Sequence, residues 1–388
     1  MRGRGRARIL IMIAATFAAL LAAASIRADE PKPSADPNVI VEFDVARGGD
    51  LIIVPVTFGL QTHPFMLDTG ASFCAIDRSL LSLVKEVEGQ GHAHDAAGKR
   101  FEVHYCETPD GKIGPLDLST GTLSLVIDLT GFEEVSGYDI RGIVGLNFLS
   151  KHVTRWDFDE GKLTFLKHPG ADPGEPVAID IASGEYLIEG AVGSAVPRKF
   201  QVDTGMIGMN QIESSFVEEL AELQTAVEAY STRGRSMTGD HIREVYRVGS
   251  VTIGSFAHAE LEFAAGSYDI IGLDYLRRFV VTIDGPGRTL YLKPGASYAD
   301  DGRQVRSGFS SIRKQGITKV VKVDPDTPAA KSGLMVGDEL ICVNRRLASP
   351  SSMYELLRAC SEPDTTVEVR VKRGDAEHDL TIVLPPAD

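Results

Sequence analysis

The tripeptide Asp-Thr-Gly occurs twice in this chain, and the two copies constrain its fold more than any other feature. They stand in FMLDTGASFCAID, residues 65 to 77, and in FQVDTGMIGMNQI, residues 200 to 212. Asp and Thr hydrogen-bond the local backbone well and Gly accepts a positive φ, so one copy would predict only a turn. Two copies, each directly after an apolar run, indicate a shared structural role.

The similarity between the two halves extends well beyond the tripeptides. Upstream, residues 44 to 68 match residues 180 to 203 with one residue of slippage. Downstream, IVGLNFLSKHVTRWD (143 to 157) aligns without a gap with IIGLDYLRRFVVTID (270 to 284). The repeat predicts two homologous lobes, related by a pseudo-twofold axis.

Short apolar alternations punctuated by Gly, Asn, Asp and Pro are typical of strands, and they dominate both halves. Examples are LIIVPVTF (51 to 58), TLSLVIDL (122 to 129) and KLTFL (162 to 166). Helical periodicity is limited to patches such as SSFVEELAELQTAVEAY (214 to 230). We therefore expect a mainly β protein.

The N-terminus carries an export signal. Four arginines precede an apolar run from Ile9 to Ala24, and a small residue, Ala28, closes the segment. This pattern is typical of a secretory signal peptide, which predicts a periplasmic or extracellular location. The apolar run is short for a membrane span, and an uncleaved N-terminal anchor is the alternative.

Changes in composition divide the rest of the chain. A proline-rich polar stretch follows the signal, and linker-like stretches of Pro, Gly and Asp lie after each copy of the repeat. The predicted parts are a signal peptide (1–28), a disordered leader (29–38), lobe 1 (39–168), lobe 2 (169–295), a linker (296–304) and a compact α+β module (305–388).

The charge of the chain narrows its partners. Without residues 1–28, the chain holds 35 basic and 54 acidic residues, a formal charge of −19. Such a surface repels phosphate backbones, so we expect no nucleic acid partner. We also expect no membrane contact beyond the N-terminal segment.

Four cysteines remain in an exported chain, and an even number permits two disulfides. Proximity in sequence favours Cys74 with Cys106 and Cys342 with Cys360. Buried free thiols are the alternative.

A twofold axis between the lobes would bring Asp68 and Asp203 face to face. Two carboxylates at about 3 Å cannot both ionise cheaply, so they share a proton and titrate as a pair. The ionised member can take a proton from water while the protonated member polarises a carbonyl, which is general acid–base catalysis of amide hydrolysis. This chemistry needs no metal or other cofactor.

The neighbours of the two aspartates fit the same arrangement. Thr69 and Thr204 would hold the two loops together by hydrogen bonds across the axis. Gly70 and Gly205 would allow the backbones to approach closely, because any Cβ there would obstruct them.

With these motifs, residues 40 to 295 resemble an aspartic protease of the pepsin and retropepsin type, in the single-chain, two-lobed form. The family's hydrophobic-hydrophobic-Gly strands match Ile143-Val144-Gly145 and Ile270-Ile271-Gly272. The resemblance implies a two-lobed β fold, an endopeptidase acting on proteins or peptides, and a substrate-covering hairpin within residues 90 to 115. Tyr105 is a weak candidate for the flap residue.

The residue directly after the Asp-Thr-Gly tripeptide differs between the two lobes. Lobe 1 has Ala71, which the family uses, whereas lobe 2 has Met206. Neither offers a hydroxyl to stabilise an ionised aspartate, so we expect activity in mildly acidic solution. Met206 favours the alternative function, a catalytically inactive protein that binds peptides or acts as an adaptor.

A pair of histidines and the single tryptophan are each expected to have an ordinary structural role. His92 and His94 lack a third ligand at sensible spacing, so a solvated loop is expected rather than a metal site. Trp156 has an apolar counterpart at the same repeat position, Ile283, and is expected in the core.

The C-terminal module, residues 305–388, resembles a PDZ domain of the bacterial envelope type, and PAAKSGLMVGDELICVN (328 to 344) carries the likeness. The resemblance implies that Ser307, Gly308, Phe309 and Ser310 form the carboxylate-binding loop. A C-terminal peptide would then add as a strand beside residues 309 to 313 and the helix at 351 to 360. The alternative is a structural appendage.

Overall fold

The computed structural model describes residues 34–119, 123–181, 184–193, 196–222, 224–300, 307–349 and 351–386. The predicted signal peptide lies outside these ranges. Within them, no helix has the length and apolar character needed to cross a membrane. The chain is mainly β, with a small α+β module at its C-terminal end.

The first half is built from short strands, as its alternating pattern predicts. Its strands are β1 (Val39–Asp44), β2 (Ile53–Phe58), β3 (Gln61–Leu67), β4 (Ala75–Asp77), β5 (Lys85–His94), β6 (Arg100–Glu107), β7 (Lys112–Ile113), β8 (Leu116–Asp117), β9 (Leu123–Ile127), β10 (Gly142–Val144), β11 (Val153–Asp157) and β12 (Lys162–Leu166). Its helices are a 3₁₀ turn (Arg78–Leu83), α1 (Thr130–Ser136) and α2 (Leu146–Leu149).

The second half repeats this plan with a longer central hairpin. Its strands are β13 (Glu175–Asp180), β14 (Leu187–Val192), β15 (Val196–Val202), β16 (Asn210–Glu213), β17 (Ala226–Ser236), β18 (Gly239–Val248), β19 (Val251–Ile253), β20 (Phe256–His258), β21 (Leu261–Gly266), β22 (Ile270–Ile271), β23 (Phe279–Asp284) and β24 (Thr289–Pro294). Its helices are α3 (Ser214–Glu222) and α4 (Leu273–Leu276).

The C-terminal module forms its own sheet and its own hydrophobic core. Its strands are β25 (Phe309–Lys314), β26 (Ile317–Val323), β27 (Glu339–Val343), β28 (Arg346–Leu347), β29 (Thr366–Arg373) and β30 (Ala376–Val383), and its helices are α5 (Pro328–Lys331) and α6 (Met353–Ala359). Thr327 and Ser352 cap the two helices, and Ser352 does so in a capping box with Glu355.

One sheet joins the two halves, because β11 of the first pairs antiparallel with β23 of the second. Trp156 on β11 lies opposite Val281, and Thr154 lies opposite Ile283. Trp156 and Ile283 are both buried, as the repeat predicts, and one hydrophobic core extends through both halves. The two halves therefore share one continuous core.

Each Asp-Thr-Gly loop follows a strand that pairs in parallel with a short second strand. A glycine comes directly after each of these short strands, Gly145 in the first half and Gly272 in the second. In the first half β3 pairs with β10, and in the second β15 pairs with β22. The two pairings match the repeat in the sequence, and they place both loops at equivalent points of the two halves.

Two expectations differ from the structure. The helical pattern at 214 to 230 is a helix only over Ser214–Glu222, and β17 begins at Ala226. Strand pairing with β18 outweighs the helical periodicity beyond that point, since tertiary context overrides local propensity. Residues 36–38, predicted as disordered leader, bond to the end of β12: Asn38 Nδ2 donates to the His168 carbonyl at 3.0 Å.

The cysteines do not form the predicted disulfides within the described chain. Cys74 and Cys360 are buried thiols, and burial raises the pKa of each to about 12. The Cys74 sulfur accepts the Gly145 N–H at 3.4 Å. The alternative of buried free thiols therefore describes Cys74 and Cys360.

Candidate functional site: a carboxyl pair between the two halves

Asp68 and Asp203 are held in the same way at the ends of their strands. The Asp68 N–H donates to the Val144 carbonyl at 3.0 Å, and the Asp203 N–H donates to the Ile271 carbonyl at 3.0 Å. Each bond extends the parallel pairing of the apolar strands by one residue. Because the strands are fixed in the core, the two aspartates have little freedom to move.

The two threonines join the loops across the axis. Thr69 N donates to Thr204 Oγ1 at 3.0 Å, and Thr204 N donates to Thr69 Oγ1 at 3.1 Å. Each hydroxyl then donates onward, from Thr69 to the Val202 carbonyl at 2.6 Å and from Thr204 to the Leu67 carbonyl at 3.1 Å. Both side chains are buried, so the reciprocal network lies away from competing water.

The two glycines touch the opposite carboxyl group. An added Cβ on Gly70 would lie 2.5 Å from Asp203 Cγ, and one on Gly205 would lie 2.6 Å from Asp68 Cγ. Real Cβ contacts are not this short, so only glycine fits either position. The close approach expected from the sequence is thus present, and it is symmetric.

Asp68 and Asp203 hydrogen-bond to each other through their carboxyl groups. Burial raises the pKa of both, and the negative charge of Asp68 raises the pKa of Asp203 further. The bond between them lowers the pKa of Asp68 and raises that of Asp203. Both shifts oppose ionisation of the two groups together, so the pair favours holding one proton between them.

The residues that follow each tripeptide support the carboxyl groups through the backbone. Hydrogen bonds from the N–H groups of Ala71 and Met206 lower the pKa of Asp68 and Asp203 respectively. The Met206 side chain lies against the glycine of the second half, with its Cγ 3.1 Å from where a Gly272 Cβ would be. This part of the methionine therefore packs behind the loop.

Gly145 and Gly272, which follow β10 and β22, pack directly against the chain that comes after each Asp-Thr-Gly tripeptide. A Cβ on Gly145 would overlap the Phe73 carbonyl, and one on Gly272 would lie 2.7 Å from the Met209 carbonyl. The Gly145 N–H reaches Cys74 Sγ, whereas the Gly272 N–H donates to Asn210 Oδ1 at 3.1 Å. The support has the same geometry in both halves but uses different acceptors.

Two long hairpins, β5–β6 and β17–β18, meet at their tips. Asp95 Oδ2 in the first turn accepts bonds from the second: Ser236 Oγ at 2.6 Å, Thr238 N at 3.0 Å and Thr238 Oγ1 at 2.6 Å. Burial opposes ionisation of Asp95, but these bonds prevail and lower its pKa. The hairpins therefore form a second bridge between the halves.

The sequence indicates the first hairpin but not its partner hairpin or the residues that join the two. The hairpin covers much of the expected range of 90 to 115, while Tyr105 lies on β6, away from the turn, and packs over Gly91. The turn signals DAAGK and SMTGD mark both tips in hindsight. Nothing in them shows that the two tips touch.

His92 and His94 lie on β5 rather than in a loop. Across the described ranges, no group of three His, Cys, Asp or Glu side chains is placed to hold a metal ion.

The four residues expected to bind a carboxylate lie at the start of the module's edge strand. Gly308 has φ +84° and packs so closely on Thr327 that a Cβ would overlap its side chain. The Ser307 carbonyl accepts the Ala329 N–H at 2.8 Å, which ties the loop to α5. Phe309 and Ser310 begin β25, which pairs with β26 on one side only.

Comparison with known families agrees with this part of the structure. Residues 305–384 match the family model of the PDZ domain, so the C-terminal module is a PDZ domain. Domains of this class bind peptides or proteins. No curated protein matches the chain.

Proposed function

We propose that this protein is an exported aspartic endopeptidase with a PDZ domain that recruits its substrates. Residues 39–168 and 169–295 would be its two lobes. One observation carries the proposal: two carboxyl groups lie against each other's loops, and reciprocal threonine hydrogen bonds hold the two loops together. A purely structural contact has no need of two facing buried carboxyls, which are costly to keep.

We propose the following roles for the two carboxyl groups. Asp68 is the base that takes a proton from water as the water oxygen attacks the scissile carbonyl carbon. Asp203 is the acid that donates its proton to the carbonyl oxygen. Collapse of the tetrahedral intermediate breaks the C–N bond as the proton held by Asp68 passes to the leaving nitrogen. One hydroxyl of the intermediate returns its proton to Asp203, which restores the pair. Neither step forms a bond between enzyme and substrate.

The proposal fixes the direction of the pH dependence. Activity needs one proton on the pair, and burial raises the pKa of both members. The singly protonated, active form is therefore present in mildly acidic solution. Activity is lost when rising pH removes the last proton from the pair. An optimum near pH 2 would contradict this assignment.

The PDZ domain would supply the substrate-binding surface. Its strand β25 lies at the edge of the sheet, and an extended peptide can add to such an edge, between β25 and α6, with its terminal carboxylate at Gly308 and Phe309. We infer that partners are proteins or peptides with an accessible C-terminus. Export is proposed from the N-terminal sequence alone, and fractionation of cells that produce the full chain tests it.

The test of the peptidase is cleavage of an unbiased peptide library by the chain from residue 29, between pH 3 and 7. Asp68→Asn and Asp203→Asn should each abolish cleavage. Asp117→Asn, an exposed carboxylate of the first half, should cleave as wild type does. Cleavage that survives in both dyad variants overturns the proposal.

The second candidate function is a catalytically inactive peptide-binding or adaptor protein. The closed arrangement favours it: Asp203 is only 8% exposed, and the hairpin tips are bonded to each other. A folded protein that binds peptides but cleaves none at any pH would establish this function instead.

A further inference from the structure

One end of the groove between β25 and α6 is covered by the first half of the chain. Helix α1 contacts both elements. Gly137, which ends α1 with φ +81°, lies so close that a Cβ would be 2.6 Å from Arg313 Nη1 and 3.2 Å from Met353 N. Its carbonyl accepts a bond from Arg313 at 3.3 Å. The covered end is opposite the loop at Gly308.

An ion-pair chain crosses this junction. Glu134 of α1 pairs with Lys314, the last residue of β25, at 3.0 Å, and with Arg235 of β17, also at 3.0 Å. The Lys314 side chain is 72% exposed, whereas those of Glu134 and Arg235 are 22% exposed. Lys314 is thus an accessible cation with a single carboxylate partner in the described chain.

Glu134 does not release Lys314 by taking up a proton in neutral solution. Hydrogen bonds from Lys314 and Arg235 lower the pKa of the Glu134 carboxyl, so it stays ionised. Lys314 changes partner only when another anion reaches it.

The register of an added strand identifies where that anion would come from. Residues pair one to one along a strand, and β25 runs six residues from Phe309 to Lys314. A peptide whose carboxylate lies at Gly308 and Phe309 therefore runs toward the covered end, where the side chain about five positions before its terminal residue comes within reach of the exposed Lys314 ammonium.

We propose that the PDZ groove takes C-terminal peptides with Asp or Glu at this upstream position, and that this side chain replaces Glu134 as the partner of Lys314. Glu134 is then a built-in competitor that a suitable ligand displaces. The inference rests on the groove binding proposed above and not on peptidase activity.

The overall charge of the protein does not oppose such a ligand at this site. Residues 305–384 hold twelve Lys and Arg against eleven Asp and Glu, whereas residues 29–304 hold 23 against 42. The acidity of the chain is therefore concentrated outside the PDZ domain. A ligand carboxylate approaches a nearly neutral domain with an exposed lysine.

The test measures binding of three peptide libraries to the chain from residue 29, with Asp68→Asn and Asp203→Asn introduced to prevent cleavage. The peptides have eight residues, randomised at the last four, and carry Glu, Gln or Lys at the position that reaches Lys314. Exposed ion pairs contribute modestly, so we expect affinity to fall about 3-fold from Glu to Gln, and again to Lys. High salt should remove the difference.

Single variants locate the effect. Lys314→Gln should abolish the preference for Glu over Gln, and Glu134→Gln should tighten the Glu library about 3-fold, because the competitor is gone. Lys322→Gln is the matched control, an exposed lysine of the next strand that pairs with Asp324. It should preserve the preference.

The outcomes separate the two levels of the argument. Binding of all three libraries with equal affinity overturns the acidic preference but leaves the groove as a binding site. Binding of none overturns both. A preference that persists in Lys314→Gln shows that another cation selects the ligand, which also contradicts the proposal.

Discussion

The two halves share the residues that touch across the axis and differ in those that point away from it. Thr69 and Thr204 exchange equivalent bonds, and Gly70 and Gly205 make equivalent contacts. Behind the loops, the acceptor for the glycine strand is a thiol in one half and an amide in the other. The symmetry that matters for the carboxyl pair is therefore confined to a small shell around it.

The largest difference between the halves lies where the PDZ domain docks. Asp50 and Tyr186 occupy the same repeat position, each six residues after the aspartate that begins the repeat. Both are buried, but the Asp50 carboxylate accepts the Tyr138 hydroxyl at 2.8 Å and bonds the Ser352 side chain at the start of α6. The first half thus contributes a buried acid to its contact with the PDZ domain, whereas the second half has a buried aromatic ring at the equivalent repeat position.

Substitution of either loop glycine should have the largest effect. In Gly70→Ala and Gly205→Ala the new methyl group overlaps the opposite carboxyl, so both should lose peptidase activity by at least about 100-fold, because small displacements of reacting groups are that costly. Library cleavage measures the loss. Gly249→Ala is the control, since its Cβ would meet only a carbonyl at 3.5 Å. Loss in one variant alone would show that the halves are not equivalent around the pair.

Asp50→Asn should have the second largest effect, which is on the free energy of unfolding. Burial is the main cause that raises the pKa of Asp50 to about 6. The folded protein therefore holds this proton longer than the unfolded chain, and stability falls as pH rises from about 4 to about 6. Two units correspond to about 3 kcal/mol.

Denaturant unfolding at pH 4 and pH 7 checks this sign. The unfolding free energy of Asp50→Asn minus that of wild type should increase between pH 4 and pH 7. The increase should be up to about 3 kcal/mol, since the amide carries no charge to bury. Asp117→Asn, which changes an exposed carboxylate, should follow the wild-type profile. A parallel profile for Asp50→Asn would mean that the carboxyl titrates normally.

The sequence predicts the parts of the site that are local and repeated. Asp68, Thr69 and Gly70 are adjacent in the chain, and a second copy identifies them as one unit, so their arrangement follows from a single symmetry argument. The PDZ domain is predicted for a similar reason, because its helix, turn and strand signals lie within one phrase of residues 328 to 344.

The rest depends on contacts between distant segments. Asp95 bonds Ser236 and Thr238 across 141 and 143 residues, and neither turn carries a signal for the other. Glu134 is an ordinary helix residue until the fold brings Lys314 and Arg235 to it. Local patterns decide what a segment can become, and packing decides what it meets.

Removal of one threonine hydroxyl should cost less than the changes above and should cost the same in both halves. Thr69→Val and Thr204→Val each delete one donor and one acceptor in a buried network. Because a buried group left unpaired costs about 1 to 3 kcal/mol, we expect each variant to lose about 2 kcal/mol of stability.

Denaturant unfolding of both variants and of the double variant tests whether the bonds act as a unit. The double variant should lose less than the sum of the two single losses, because each change already removes bonds that the two residues share. Additive losses would show that the two residues support their own loops independently.

Met206→Ala should have the smallest effect, and it tests whether the two halves differ around the proposed catalytic pair. The Met206 Cγ packs near Gly272, and the backbone N–H, which alanine retains, is the group that bonds Asp203. We expect stability to fall by about 1 kcal/mol, a common cost for one substitution, and cleavage to change less than about 3-fold.

Met206→Leu is the matched control, since it keeps the volume and should match wild type in both measurements. A gain in cleavage of about 10-fold or more in Met206→Ala, absent in Met206→Leu, would contradict the structure, because methionine would then obstruct the second aspartate. Unchanged cleavage in both would mean that the asymmetry between the halves faces outward. The two lobes would then contribute equally to the proposed catalysis.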